Sequence, residues 1–234
     1  MQTFKILLLI ARPAAGKSEI IHYIKQTPFE ERKTRFHVGN FKEIDDFPML
    51  WAWFEEDALL ERMGHPRLHS TSEGYFKFTY LWDLLIERIN IEYQKHLRDD
   101  NKETVIIEFS RGTEHGGFRR AFTHLSDAIL QELAILYIDV PWEESLRKNK
   151  RRFNPDRPDS ILEHGLPDDK LERLYKYSDW HELAKENPDF ITIRDFKIPY
   201  VLFENSDDVT TEGGIKLGYR LEDTLKSLWL HYHH

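Results

Sequence analysis

A chain of 234 residues, 40% of them hydrophobic, is long enough for one full α/β core, and at roughly 100–200 residues per domain it needs no second one. No run approaches the roughly 18 to 20 consecutive apolar residues that span a bilayer, and the short apolar stretch near the start leads into charged residues without a small-residue cleavage site, so a soluble protein without a signal peptide is expected. The lack of cysteine excludes disulfides and thiolate sites and makes the cytoplasm the expected compartment. A net charge of -8 argues against a general nucleic-acid binder, which would carry a basic face.

In chain order, apolar runs rich in β-branched or aromatic residues fall at Phe4–Ile10, Thr34–Val38, Thr104–Phe109, Ala134–Val140 and Pro199–Phe203. Longer amphipathic stretches separate them, which predicts strands alternating with helices around a mostly parallel five-stranded sheet, as one domain over 1–234. The first run ends in Ala11-Arg12-Pro13-Ala14-Ala15-Gly16-Lys17-Ser18, which fits Gly-x-x-x-x-Gly-Lys-Ser/Thr at every fixed position but the first, where Ala11 stands for glycine. Ile20, Ile21 and Ile24 then recur at helical spacing. A strand, this loop and a helix form a phosphate cradle. The loop residues Arg12, Pro13, Ala14, Ala15, Gly16, Lys17, Ser18 and Glu19 are expected to hold the nucleotide: successive backbone N–H groups wrap its β-phosphate at a helix N-terminus, Lys17 neutralises the γ-phosphate, and Ser18 ligates Mg²⁺. ATP and Mg²⁺ are the expected ligands.

The second run continues through Asp45 and Asp46 to Pro48, where the two carboxylates either orient an acceptor group or cap a helix. From about 48 to 100 the sequence is helical and aromatic, with Trp51, Trp53, Phe54, Tyr75, Phe76, Phe78, Tyr80 and Trp82. These rings either stack on a ligand or fill an inserted helical layer. The third run ends Glu108-Phe109-Ser110-Arg111-Gly112. After the fourth, Pro141 opens a helix with Glu143 and Glu144 at its positive end. Arg147 and Arg151 share a face of it, ahead of Arg152 and a loop with paired prolines. The segment from about 147 to 170 is expected to be a lid, unless the arginines only form a solvated basic face. The fifth run ends Val201-Leu202-Phe203-Glu204-Asn205-Ser206-Asp207.

The loop, the Glu108–Gly112 turn, the arginine-rich helix and the Asn205 turn, in this order, resemble the nucleoside and nucleotide kinase group of P-loop proteins, relatives of adenylate kinase and gluconate kinase. The resemblance implies a three-layer P-loop fold with a helical insert on the acceptor side and an arginine-rich lid. It implies ATP- and Mg²⁺-dependent transfer of a phosphoryl group to a small acceptor, such as a nucleoside, a nucleotide or another hydroxyl or phosphate compound. Lys17, Glu108, Arg111, Arg147 and Arg151 take the catalytic positions. Ser18 and Glu108 take the metal positions, with Glu108 either holding the magnesium water shell or accepting the acceptor's proton. Arg111 is expected on the acceptor's phosphate or the transferring group, and Arg152 and Asn205 on the nucleotide. The alternative is a regulatory module with slow hydrolysis, in which triphosphate orders the lid for a protein partner.

Overall fold

The computed structural model describes residues 3–99, 103–152, 156 and 165–232. In chain order these form β1 (Ile6–Ala11), α1 (Lys17–Gln26), α2 (Phe29–Phe36), β2 (Phe41–Asp45), α3 (Phe47–Arg62), α4 (Tyr80–Arg98) and β3 (Thr104–Phe109). There follow α5 (Gly117–Thr123), α6 (Asp127–Leu130), β4 (Leu133–Asp139), α7 (Trp142–Arg152), α8 (Asp168–Tyr175), α9 (Trp180–Leu183), β5 (Phe190–Ile193), β6 (Phe196–Glu204), α10 (Val209–Glu212) and α11 (Gly214–Tyr232).

Six apolar residues in succession can be buried only by a strand covered on both faces, and every residue of β1 is buried. Because strand side chains alternate, Ile6, Leu8 and Ile10 enter one core with Ile86, Ile89 and Tyr93 of α4 and Phe118 and Phe122 of α5. Leu7, Leu9 and Ala11 enter the other, with Ile20, Ile21 and Ile24 of α1 and Leu217, Leu221, Leu225 and Leu228 of α11. The sheet order is β2-β3-β1-β4-β6-β5. Pairing is parallel from β2 to β6, with Leu9 opposite Glu108 on one side and Leu136 on the other. The chain leaves β1 toward β2 and β3, then crosses to β4, so the order reverses at β1 and a crevice opens at its carboxyl end. A phosphate loop at that crevice, in a parallel sheet with helices on both faces, makes this a three-layer P-loop fold. Among the described residues no helix is long and apolar enough to cross a membrane.

Two expectations are corrected. The run Thr34–Val38 is not a strand: α2 occupies Phe29–Phe36, and the strand lies later, at Phe41–Asp45. Pro28 at the N-cap, with Glu30 and Glu31 in the first turn, starts that helix, and Arg32 and Phe36 bury one face of it; His37 at φ 53 ends it. The parallel strands are five, as expected, but β5 adds an antiparallel edge through a hairpin at Arg194, which also adopts a positive φ. Asn154, Pro155 and Arg157–Asp159 of the expected lid lie outside the described residues.

The insert is α3 and α4 with a loop between them, and its own small core is Trp53, Leu81 and Leu85. Asp57, fully buried on α3, organises that loop: its carboxylate accepts the amides of Leu68 (2.6 Å), His69 (3.0 Å) and Ser70, and the Ser70 hydroxyl (2.6 Å). Burial alone would raise its pKa, but the Ser70 hydroxyl and the three amides overcome this and hold it at about 2. Asp57→Ala leaves those amides without an acceptor and is expected to cost about 2–4 kcal/mol in urea unfolding. A depressed carboxylate contributes stability above its unfolded pKa near 3.8, so this contribution fades in the wild type as pH falls from about 4 toward 2. The Asp57→Ala variant should lack that part of the acid transition.

Candidate nucleotide site

The residues that could contact a nucleotide start where β1 ends. Ala11 still belongs to the strand and is buried, so alanine at the first motif position needs no special backbone conformation. Left-handed conformations fall instead on Ala14 (φ 57) and Gly16 (φ 112). A Cβ on Gly16 would lie 2.5 Å from Thr210 Oγ1, so glycine is required there for space as well as for φ. Among the described residues no protein acceptor engages the amides of Ala15, Gly16, Lys17 and Ser18. They border a cavity of about 1310 Å³, lined from Ala14 through Glu19.

The remaining loop residues brace the cradle. The Arg12 guanidinium donates to the carbonyls of Val140 (2.8 Å) and Lys176 (3.3 Å), and the Pro13 carbonyl accepts from Ser145 Oγ (2.8 Å). Asn205 is fully buried beneath the loop: Nδ2 donates to the Ala15 carbonyl (2.8 Å) and to Thr210 Oγ1 (2.9 Å), while Oδ1 accepts the Thr210 amide. Arg12, Pro13 and Asn205 therefore lie outside the lining, and the wall beyond β6 is made by Thr210, Thr211, Gly213, Gly214 and Leu217.

Charge concentrates where β2 and β3 end side by side, since the parallel register sets Asp45 opposite Glu108. Lys17 Nζ donates to Ser110 Oγ at 2.8 Å, just beyond β3. Burial raises the Asp45 carboxyl well above the ordinary carboxylate range; Glu108 and Asp46 raise it further, and Lys17 and the Phe47 amide only partly oppose this. Glu108 is also raised, by burial first, with Lys17 and Arg152 pulling the other way. Two adjacent buried carboxyls cannot both ionise cheaply, so the pair retains a proton at pH values where isolated ones would not.

On α7, Arg151 and Arg152 line the cavity, and so does Lys148, whose buried Nζ sits 2.9 Å from Thr210 Oγ1 and 2.7 Å from Asp208. Arg147 does not: it is half exposed and held by Glu144 (2.6 Å) and Asp208 (2.7 Å). The phase of α7 turns the 148, 151 and 152 face inward.

Arg111 lines neither this cavity nor its neighbour. It is buried against Asp46 (2.6 Å) and donates to the carbonyls of Ser110 (2.8 Å) and Trp82 (3.2 Å), tying the β3 turn to the start of α3 and to α4. That neighbour is a second cavity of about 590 Å³ between the insert and α8, and Phe47 borders both. The Phe47 amide donates to Asp45 Oδ1 at 2.9 Å, and Asp45 and Glu108 both line the cavity of about 1310 Å³.

Lys148, Thr210 and Ser110 were not legible as site residues. Lys148 is one of several cations on one helix, and only the packing of α7 selects it. Thr210 comes from the far end of the chain, and nothing in its local sequence marks it.

No protein-family model and no curated relative matches the chain. Among solved structures it is similar to a sugar kinase from Janibacter sp. HTCC2649, at 15% identity over 95% of this chain and 94% of that one, with a TM-score of 0.40. It is also similar to TT1252 from Thermus thermophilus, at 14% identity over 99% and 98% of the two chains, with a TM-score of 0.45. A ParA family ATPase from Chlorobium tepidum TLS matches at 12% identity over 99% and 98%, with a TM-score of 0.26. Such distant likenesses carry no functional argument, and the P-loop fold rests on the loop and the strand order.

Proposed function

We propose that the protein is an ATP- and magnesium-dependent phosphotransferase acting on a small acceptor. The observation that carries this reading is the row of amides from Ala15 to Ser18 that no protein acceptor among the described residues engages, with Lys17 near the buried carboxyls of Asp45 and Glu108 at the carboxyl end of the sheet. Those amides and the start of α1 would hold the β- and γ-phosphates. The oxygen donors of Ser18 and Glu108 suit Mg²⁺, which when bound would neutralise phosphate charge. Asp45, nearest the second cavity through Phe47, takes the proton of the acceptor hydroxyl. The hydroxyl oxygen then bonds to the γ-phosphorus as its bond to the ADP oxygen breaks. Lys17, Arg151 and Arg152 face the charge on the transferring oxygens, and Lys148 fixes the Thr210 wall. Arg111 is a positioning residue that sets Asp46, and so Asp45, on the acceptor side. Arg147 supports the lid helix through Glu144 and Asp208.

The assay is release of ADP from ATP and Mg²⁺, with and without a panel of nucleosides, nucleotides and sugar acids. Stimulation by one acceptor, with the acceptor phosphorylated, is the expected result. Slow hydrolysis that only a protein partner changes would favour the regulatory reading instead.

A further inference from the structure

The insert carries more aromatic rings than its own core uses. Trp53, Leu81 and Leu85 form that core with Phe76 and Trp82 packed against it, and Trp51, Phe54, Tyr75, Phe76, Phe78 and Trp82 all border the 590 Å³ cavity. That volume suits one small molecule, and the wall is mainly apolar. Two polar groups in it are unmatched. The first is His115, stacked on Trp82 at 3.8 Å and edge-on to Tyr175 at 4.9 Å. Its Nδ1 accepts the Gly112 amide at 3.3 Å, which places the ring hydrogen on Nε2, and Nε2 is buried with no partner among the described residues. Burial, then Arg111, lowers its pKa to about 3, so the ring is a neutral donor at any working pH. The second is Lys170 on α8. Lys170 is half-buried; its ammonium lies 5.0 Å from the centre of the Tyr75 ring, is within electrostatic reach of the exposed Glu73 carboxylate, and has no ion pair or hydrogen bond among the described residues. Arg173, one turn along, is already paired with Glu114 at 3.2 Å.

A wall of flat apolar faces and a cation that makes no direct ion pair call for a ligand with the complementary parts. We propose that this cavity binds a flat aromatic or heteroaromatic ring that carries an anionic group: the ring lies among the insert aromatics, beside the stacked Trp82 and His115 rings, and the anion pairs with Lys170. Because Phe47 borders both cavities, this ligand is the phosphoryl acceptor. That last step rests on the phosphotransferase reading, whereas binding of the ring does not.

A nucleoside monophosphate and an aromatic acid share this chemistry, and direct titration separates them. The full chain, without ATP, is titrated with AMP, CMP, GMP, UMP and 4-hydroxybenzoate, alongside adenosine and ribose 5-phosphate, with quenching of tryptophan fluorescence and heat of binding as readouts. At least one compound having both ring and anion should bind with Kd below about 1 mM, and at least tenfold tighter than ring or anion alone. Phe54→Ala should weaken it about tenfold or more. Lys170→Met should abolish the preference for the anionic compound over the neutral ring while leaving circular dichroism and Tm unchanged, a selectivity that a merely structural residue would not alter. The site is overturned if no such compound outbinds its parts, or if both variants bind as wild type does. Ring binding without any turnover would remove the phosphotransferase reading and leave this site standing. Acceptor-stimulated turnover in a protein that binds none of the ring compounds would do the reverse.

Discussion

Lys17→Ala is expected to lower acceptor-dependent ADP release by about three orders of magnitude, the scale of removing one preorganised charge from a phosphoryl-transfer site. Lys17 is the cation that the carboxyl pair and Ser110 already surround, and it stands at the first turn of α1, where the phosphate amides converge. The same substitution should shrink the thermal shift produced by ATP and Mg²⁺, because ligand stabilisation scales with affinity. Lys17→Arg should not rescue turnover: a planar guanidinium cannot replace a compact ammonium between Ser110 and a phosphate. Undiminished turnover in Lys17→Ala would end the nucleotide reading of this loop.

Asp45→Asn is expected to lower kcat by about a hundredfold to ten-thousandfold, the usual range for loss of a general base, and at the same time to make the ligand-free protein more stable. Asparagine can still accept the Phe47 amide, so the start of α3 is kept. What disappears is a carboxyl that burial and its neighbours Glu108 and Asp46 disfavour in the charged form. The sign is fixed by the raised pKa. A folded state that holds this proton more tightly than the unfolded chain is favoured at low pH, and the contribution is lost as pH rises from about 4 through the raised folded value. In ligand-free wild type, stability should therefore decline over that window, and Asp45→Asn should flatten the decline, with a gain of about 1–2 kcal/mol at the alkaline end. Turnover in wild type should rise over the same window, with its acidic limb above the ordinary carboxylate range, and that limb should vanish in the variant. Glu108→Gln separates the two carboxyls, because it should raise the Mg²⁺ concentration needed for half-maximal turnover whereas Asp45→Asn should not. A variant that loses activity and stability together would make Asp45 a structural residue.

The amino-acid sequence by itself determined the parts whose physics is local. Six apolar residues, a glycine-lysine-serine turn and three isoleucines at helical spacing suffice to place β1, the cradle and α1, since each depends only on neighbours in the chain. Glu108 at the end of β3 and the cations of α7 follow from the same local patterns. The sequence misplaced the second strand because the Thr34–Val38 run offered residues suited to either state, and the choice was made by helix capping at Pro28 and by the space that Phe36 fills in the core.

Tertiary structure alone decided which charges meet. Asp45 and Glu108 are 63 positions apart, and only the register of β2 against β3 sets them opposite each other. Arg111, legible as a site residue, is instead neutralised by Asp46 in the interior. Arg147 and Lys148 are adjacent in the chain, yet the seating of α7 ties one to exposed carboxylates and turns the other toward the cradle. The aromatic set of the insert was legible, but not whether it borders a cavity, because aromatic residues read the same whether they fill a core or wall a hollow. What separates the two cases is the distance between packed elements, which the chain acquires only on folding.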